Sequence, residues 1–263
     1  GKKQALKTGI EQASNQLIIT TDADCTPSST WVQTILSFYD QQNPDLIIGP
    51  VEMKTDNSLF QNIQQLEFQS LIAAGAGAAG NKKAIMCNGA NLAFHKSEWL
   101  AQFSQLKPHL QSGDDVFYLH ALKREGRKIS FLKSKQALVF TKSCTSIKQF
   151  YKQRKRWASK APSYTDTYTI VIALIIFGTS SIQLISAIAS LFNTAYILHF
   201  ALITSIKCII DWIFINHTND LFEKRKTAKS IIALTVVYPF YITIAAFAGI
   251  AQNLIGKRKE SFR

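Results

Sequence analysis

The chain has 263 residues, 47% of them hydrophobic, and a formal net charge of +13, a length that allows one large domain or two modest ones. The basic balance invites a nucleic-acid reading, but its distribution argues against one. Residues 123–160 hold thirteen Lys and Arg and a single acid, Glu125, immediately before a charge-free run at 167–206, which is what the positive-inside rule and attraction to anionic lipid produce beside a membrane. A second charge-free run covers 230–256, so a charged head is followed by an apolar tail. Four scattered cysteines without a C-x-x-C pair fit reduced thiols facing a cytosol better than a disulfide framework or a zinc site. With no initiator Met and no signal-peptide pattern at Gly1, the expectation is a head that lacks its N-terminal part.

In chain order, residues 1–10 read as a short helix with Ala5, Leu6 and Ile10 inward, broken by Ala13-Ser14-Asn15. The β-branched run Leu17-Ile18-Ile19-Thr20-Thr21 then delivers Asp22 and Asp24 to the tip of a buried strand. If the strand persists, residues at i and i+2 share a face, and both carboxylates point into one site. Such a pair suits Mg²⁺ or Mn²⁺, whose remaining ligands are often substrate phosphates. A surface turn is the competing reading, since Asp-Cys-Thr-Pro-Ser-Ser is also good turn chemistry. Residues 27–30 supply caps for a helix carrying Trp31, Ile35 and Phe38, which Asn43-Pro44 stops before a second buried strand, Leu46-Ile47-Ile48-Gly49. This alternation predicts an α/β domain around a sheet with parallel strands, with ligands at their carboxyl ends.

Residues 57–71 read as a helix running into Gly75-Ala76-Gly77-Ala78-Ala79-Gly80. The literal G-x-G-x-x-G is not a dinucleotide fingerprint, because that needs a strand before it and a helix after it. A flexible loop able to move over a substrate is expected instead. In 85–94, Cys87-Asn88-Gly89-Ala90-Asn91 sits between two apolar pieces, as where backbone approaches a ligand, and an ordinary turn explains it equally well. Gly113-Asp114-Asp115 opens an amphipathic helix closed by Gly126; one aspartate suffices as a cap, leaving the other for chemistry. Closing strands are expected at 129–132 and 137–140. Ser146 caps a basic helix with Gln153-Arg154-Lys155-Arg156-Trp157, which on its own reads as a solvated juxtamembrane face.

Asp-x-Asp after an apolar strand, the C-N-G-A-N turn, G-D-D ahead of a helix, and Q-R-K-R-W before membrane spans together resemble the family 2 inverting glycosyltransferases. The likeness covers residues 1–160 and is to the membrane-bound processive branch of cellulose, chitin, hyaluronan and poly-N-acetylglucosamine synthases. It implies a GT-A nucleotide-sugar-binding domain, N-terminally truncated, over 1–160, and an all-α transmembrane region over 161–263. By the same likeness Asp22 and Asp24 hold a divalent cation (Mg²⁺ or Mn²⁺) and the donor diphosphate, with Asp24 the more direct ligand, and Lys2, Lys3 and Arg156 also contact the donor. Asp115 stands where the family has the general base, and Asn88, Gly89, Asp114, Gln153 and Trp157 fall to the acceptor. G-D-D replaces the family's T-E-D or E-E-D, so a contact usually made by Glu passes to the shorter Asp114. The implied partners are a UDP-sugar donor, a saccharide or lipid-linked acceptor and membrane lipids, with no nucleic acid.

The chemistry agrees with the likeness. A departing nucleoside diphosphate concentrates negative charge that a metal and fixed cations stabilise, and a carboxylate takes the acceptor's proton in a single inverting displacement. No Ser-His or Cys-His arrangement competes. Spans are expected at 168–191, 194–215 and 230–255, with Lys207 and Asp211 on one helix face as either a functional hint or a packing pair. With the head and Glu223-Lys224-Arg225-Lys226 inside, three crossings leave Lys257-Arg258-Lys259 outside, which breaks the positive-inside rule unless one run is re-entrant or interfacial. The expectation is an inverting, metal-dependent transferase of a plasma or inner membrane, with a cytosolic catalytic head that extends a polysaccharide. The alternatives are a single transfer to a lipid carrier, or a non-catalytic anchored receptor for nucleotide sugar or polysaccharide; a three-span transporter would leave the head without a purpose.

Overall fold

The computed structural model describes residues 2–107, 112–218, 221–222 and 228–260. Gly1 and the basic run Glu223-Lys224-Arg225-Lys226, on which the topology expectation rests, lie outside the described residues, as do the side chains of Lys257, Arg258 and Lys259. The chain divides into two compact units: Gly1–Thr55, Phe68–Ser143 and Asp220–Glu223 form one, and Asp56–Glu67, Cys144–Asn219 and Lys224–Arg263 the other. The basic helix that begins at Ile147 is part of the second of these units.

In the first unit α1 (Lys2–Gln12) leads to β1 (Leu17–Thr20), and β2 (Thr26–Pro27) to α2 (Trp31–Gln42). Asn43 ends α2 in the left-handed conformation, φ 44°, its N–H donating to the Tyr39 carbonyl at 2.7 Å, and Pro44 prevents further helix. β3 (Leu46–Ile48) is buried at every position, as a central strand covered on both faces must be. After β4 (Val51–Lys54) come α3 (Leu59–Gly80), β5 (Leu92–His95), α4 (Lys96–Ala101), α5 (Asp114–Arg124), β6 (Ile129–Phe131) and β7 (Val139–Lys142).

The main sheet has the order β1-β5-β3-β6. β5 runs antiparallel to both β1 and β3, while β3 and β6 are parallel. The expected parallel set is thus present as β1, β3 and β6, but β5 is inserted against it, because residues 85–91 turn the chain back after α3. A smaller sheet orders β2-β7-β4. One face of the main sheet, through Ile47 and Ala93, packs with Trp31 and Ile35 of α2 and with Leu132, Ala137 and Val139. On the other, Phe94 meets Trp99 at 6.2 Å and Tyr118 at 5.3 Å between ring centres. Burial of large aromatics on this scale is worth about 1.5–3 kcal/mol per side chain.

Two expectations change. The glycine-rich stretch 75–80 is not a flexible loop but the last turns of α3. Interleaved alanines support helix at 76, 78 and 79, and Gly75 is small for a reason, since a Cβ there would sit 3.0 Å from Met86 Cγ. The last strand begins at Val139, not Ala137, because Ser134 caps a short 3₁₀ turn over Lys135–Ala137.

The second unit contains the start of α3, α6 (Ile147–Ala158), α7 (Thr167–Ala189), α8 (Ala195–His217) and α9 (Ala228–Glu260). Ser146 caps α6, accepting from Gln149 N at 3.3 Å. Among the described residues three helices are long and apolar enough to cross a membrane, Thr167–Ala189, Ala195–His217 and Ala228–Gly249. Each lies within a continuous helix. Pro239 lies inside α9, a position that membrane helices tolerate where neighbours satisfy the freed carbonyl. Lys207 and Asp211 do form an ion pair, and Thr235 of α9 donates to Asp211 at 3.1 Å. Gln183 of α7 donates to Thr204 Oγ1 of α8 at 3.0 Å and to the Thr235 carbonyl at 3.2 Å.

Candidate active site

β1 ends at Thr20, two residues before Asp22, so strand alternation is not what brings Asp22 and Asp24 together. A tight turn does that, closed by Cys25 N–H donating to the Asp22 carbonyl at 3.0 Å. Asp22 is half-buried, Asp24 exposed, and their carboxylate oxygens and the Cys25 thiol lie within 4.8 Å of one another. The turn and the metal readings are therefore not exclusive, since a turn can bring the two carboxylates together. Burial pushes the Cys25 thiol up, and the neighbouring aspartates add to it against an opposing hydrogen bond with Thr141. A thiol kept protonated is a weak ligand. The effective donors are two carboxylates, a set that fits a hard divalent cation completed by phosphate oxygens.

The C-N-G-A-N run fastens onto this strand end. Thr20 Oγ1 donates to the Gly89 carbonyl at 3.2 Å, and Asn88 Oδ1 accepts from Ala90 N at 3.0 Å to hold the turn. Gly89 N–H donates to Asp115 Oδ2 at 3.1 Å, while Asp115 Oδ1 accepts from Val116 N at 2.8 Å. Asp115 is thus fixed by two backbone donors at the N-terminus of α5. Neither aspartate caps α5. That position is Gly113, at φ 95°, a left-handed conformation that glycine adopts without strain. Asn91, read as backbone close to a ligand, proves structural. It is fully buried, accepts from Trp31 Nε1 at 2.9 Å, and donates to the Pro50 and Ala137 carbonyls, each at 2.8 Å.

Lys2, Asp22, Gly89, Asp114 and Asp115 line one cavity, floored by Leu92, Phe94, Trp99 and Tyr118. Lys2 Nζ donates to Asp22 Oδ1 at 2.5 Å. Burial alone would lower the Lys2 pKa, but the bond to Asp22 and the charges of Asp22, Asp114 and Asp115 outweigh it and hold the ammonium above its usual value. Burial, then the Asp115 charge, pushes Asp114 upward, with Lys2 opposing. Lys3 is placed elsewhere. It is buried, with its ammonium donating to the Leu106 and Lys107 carbonyls at 2.7 and 2.9 Å.

The structure therefore gathers Lys2, Asp22, Asp24, Gly89, Asp114 and Asp115 around one strand end. Gln153, Arg156 and Trp157 belong to α6 of the second unit, with Arg156 exposed and Gln153 and Trp157 half-buried. Sequence reasoning passed over Arg154, which is buried and paired with Glu67. The available signal was that Glu67 is the sole charge in the 22 residues of α3, and an isolated acid on an apolar helix needs a partner.

A search among curated proteins gives no match. The family described as "Glycosyltransferase like family 2" matches residues 1–160, which include the strand-end aspartates, the C-N-G-A-N turn, Asp115 and α6. With more than half of its length so matched, the chain belongs to the family 2-like glycosyltransferases.

Proposed function

We propose that this glycosyltransferase catalyses inverting, metal-dependent transfer of a hexosyl or N-acetylhexosaminyl unit from a UDP-sugar to a growing polysaccharide at the plasma membrane, with its catalytic unit facing the cytosol. The observation that carries the reading is Asp115, a carboxylate held by the Gly89 and Val116 N–H groups in the same cavity as Asp22 and Lys2. A general base needs such fixed orientation beside the group it deprotonates. Asp115 takes the proton of the acceptor hydroxyl as that oxygen attacks the anomeric carbon from the face opposite the diphosphate, which gives inversion in one step.

Asp22 and Asp24 would hold Mg²⁺ or Mn²⁺, which when bound neutralises charge developing on the leaving diphosphate. Lys2 supplies a fixed cation beside them, raised in pKa and so charged at neutral pH. Asn88, Gly89 and Asp114 shape the acceptor side. By the family likeness, Arg156 contacts the donor diphosphate and Gln153 and Trp157 the acceptor. Lys3, engaged by two carbonyls, is left out of the donor contacts. The test is a panel of nucleotide sugars offered to membranes carrying the protein, with UDP release and product length measured. Asp115→Asn should retain UDP binding and lose transfer by about 10²–10⁴-fold. Unaltered turnover would overturn the base assignment, and a product of one added sugar on lipid would replace the polysaccharide reading.

A further inference from the structure

Arg154 is the one side chain of the Gln153–Trp157 run that is fully inside the protein, with 3% exposure. Its Nε donates to both carboxylate oxygens of Glu67, each at 3.0 Å, and Nη2 donates to Glu67 Oε2 as well. The Glu67 side chain is 4% exposed. On the far side of the fork, Nη1 donates to Gln153 Oε1. The guanidinium is also layered between two rings, 4.3 Å from the centre of Phe150 and 4.3 Å from that of Trp157. Phe150 is in turn braced edge-on by Phe60 of α3 and Tyr241 of α9.

We propose that Arg154, locked by Glu67, is the positioning residue that sets the orientation of Gln153 and Trp157 for the acceptor. This rests on the reading above that Gln153 and Trp157 bind the acceptor sugar. Stability alone does not explain the pair, because a buried ion pair is often matched or bettered by well-packed apolar side chains. Geometry does. A planar fork with donors on several edges and two usable faces can grip a carboxylate, an amide oxygen and two rings together, which a lysine cannot. With its oxygen committed to Arg154, the Gln153 amide has its N–H₂ end to offer a hydroxyl-rich ligand. The Trp157 ring plane is fixed by the guanidinium lying on it, and that plane is where a sugar ring would stack. Glu67 keeps the fork from rotating, so an acid on α3 determines the pose of two residues on α6.

Removing one partner strands a buried charge and risks misfolding, so the informative variant is Glu67→Leu combined with Arg154→Met, with Arg154→Lys as a charge-retaining companion. The full chain is purified in detergent and checked for cooperative thermal unfolding. The emission component that disappears in a Trp157→Phe background is then followed under acrylamide, a probe that needs no substrate. Trp157 should become more accessible in the double variant and in Arg154→Lys; unchanged accessibility would overturn the proposal. Kinetics use UDP-N-acetylglucosamine with chitopentaose or UDP-glucose with cellopentaose, whichever the parent turns over. Acceptor KM should rise about tenfold or more, as expected when a binding group is misplaced by about an ångström, with little change in donor KM. If Trp157→Ala raises acceptor KM while the double variant does not, the positioning role falls and the acceptor reading stands. If Trp157→Ala leaves acceptor KM unchanged, the acceptor reading falls and takes the positioning role with it.

Discussion

Asn91→Asp is a near-isosteric change whose cost follows from three hydrogen bonds. Asn91 accepts from Trp31 Nε1 and donates to the Pro50 and Ala137 carbonyls, tying α2, the segment between β3 and β4, and the approach to β7 to the start of β5. It is fully buried, and it lies so close against Gly49 that a Cβ there would be 2.3 Å from Asn91 Cγ, so the side chain has no room to turn away. Aspartate keeps the acceptor for Trp31 and loses both donors. Two stranded carbonyls cost about 1–3 kcal/mol each, roughly 2–6 kcal/mol together, before the further cost of a carboxylate facing two carbonyl oxygens. Against a total stability of about 5–15 kcal/mol this is a large fraction. For a unit of this size it lowers the melting temperature by about 5–20 °C. The assay is thermal unfolding of the full chain in detergent, followed by tryptophan fluorescence, at several pH values. Because the folded site disfavours the charged form, the introduced carboxyl has a raised pKa when folded, so the deficit should shrink as pH falls and the protonated acid recovers one donor. A melting shift under about 2 °C, or a deficit independent of pH, would refute this account of the site.

Asp24→Ala should abolish the Mn²⁺ dependence of UDP binding measured by calorimetry on the full chain, and equal affinities with and without Mn²⁺ would remove the metal assignment. Asp114 has its folded pKa raised above 3.8, so folding binds extra proton there, and its contribution is present below the ordinary carboxylate range and lost as pH rises through the raised value. Asp114→Asn should therefore gain stability relative to the parent as pH increases across that window, and a pH-independent difference would contradict the burial of that carboxyl. Gly75→Val should destabilise by about 1–3 kcal/mol, because Met86 already lies at the limit of a Cβ contact, and equal unfolding midpoints for variant and parent would contradict that close approach. Gly77→Ala, with nothing within 4 Å, should stabilise by about 0.5–1 kcal/mol, and a loss of stability would place Gly77 outside a helix.

What could be read from sequence was what local chemistry dictates. The caps at Asn43 and Ser146, the three apolar helices, and the fully apolar β3 all follow from short-range pattern. What could not be read depends on partners far away in the chain. Glycines at 75, 77 and 80 look like a hinge until one knows that the helix continues and that Met86 presses on Gly75. Lys3 and Lys2 are adjacent and chemically identical, yet one meets carbonyls more than a hundred residues away and the other a carboxylate twenty away. Asn88 and Asn91 occupy one short motif, and only the burial of Asn91 beneath Trp31 separates the fold's needs from the site's.

The acidic motif brings its carboxylates together by a route other than strand alternation. Strand alternation was the reason for expecting Asp22 and Asp24 to converge, and the strand has already ended. A turn achieves the convergence instead, and with different consequences. A strand would have aimed both carboxylates from a rigid ladder, whereas here Asp24 is exposed on a bend anchored by the Cys25 N–H and Asp22 is engaged by Lys2. An arrangement in which one carboxylate is held by an ammonium and the other is open to water sets an incoming cation in competition with that ammonium. On the proposed function, a cation bound there would loosen Lys2 from Asp22 and leave its ammonium to meet the donor diphosphate. On this argument Lys2→Met should weaken binding of UDP with Mn²⁺ while leaving binding of Mn²⁺ alone unchanged or tighter, and calorimetry showing both weakened equally would refute the competition.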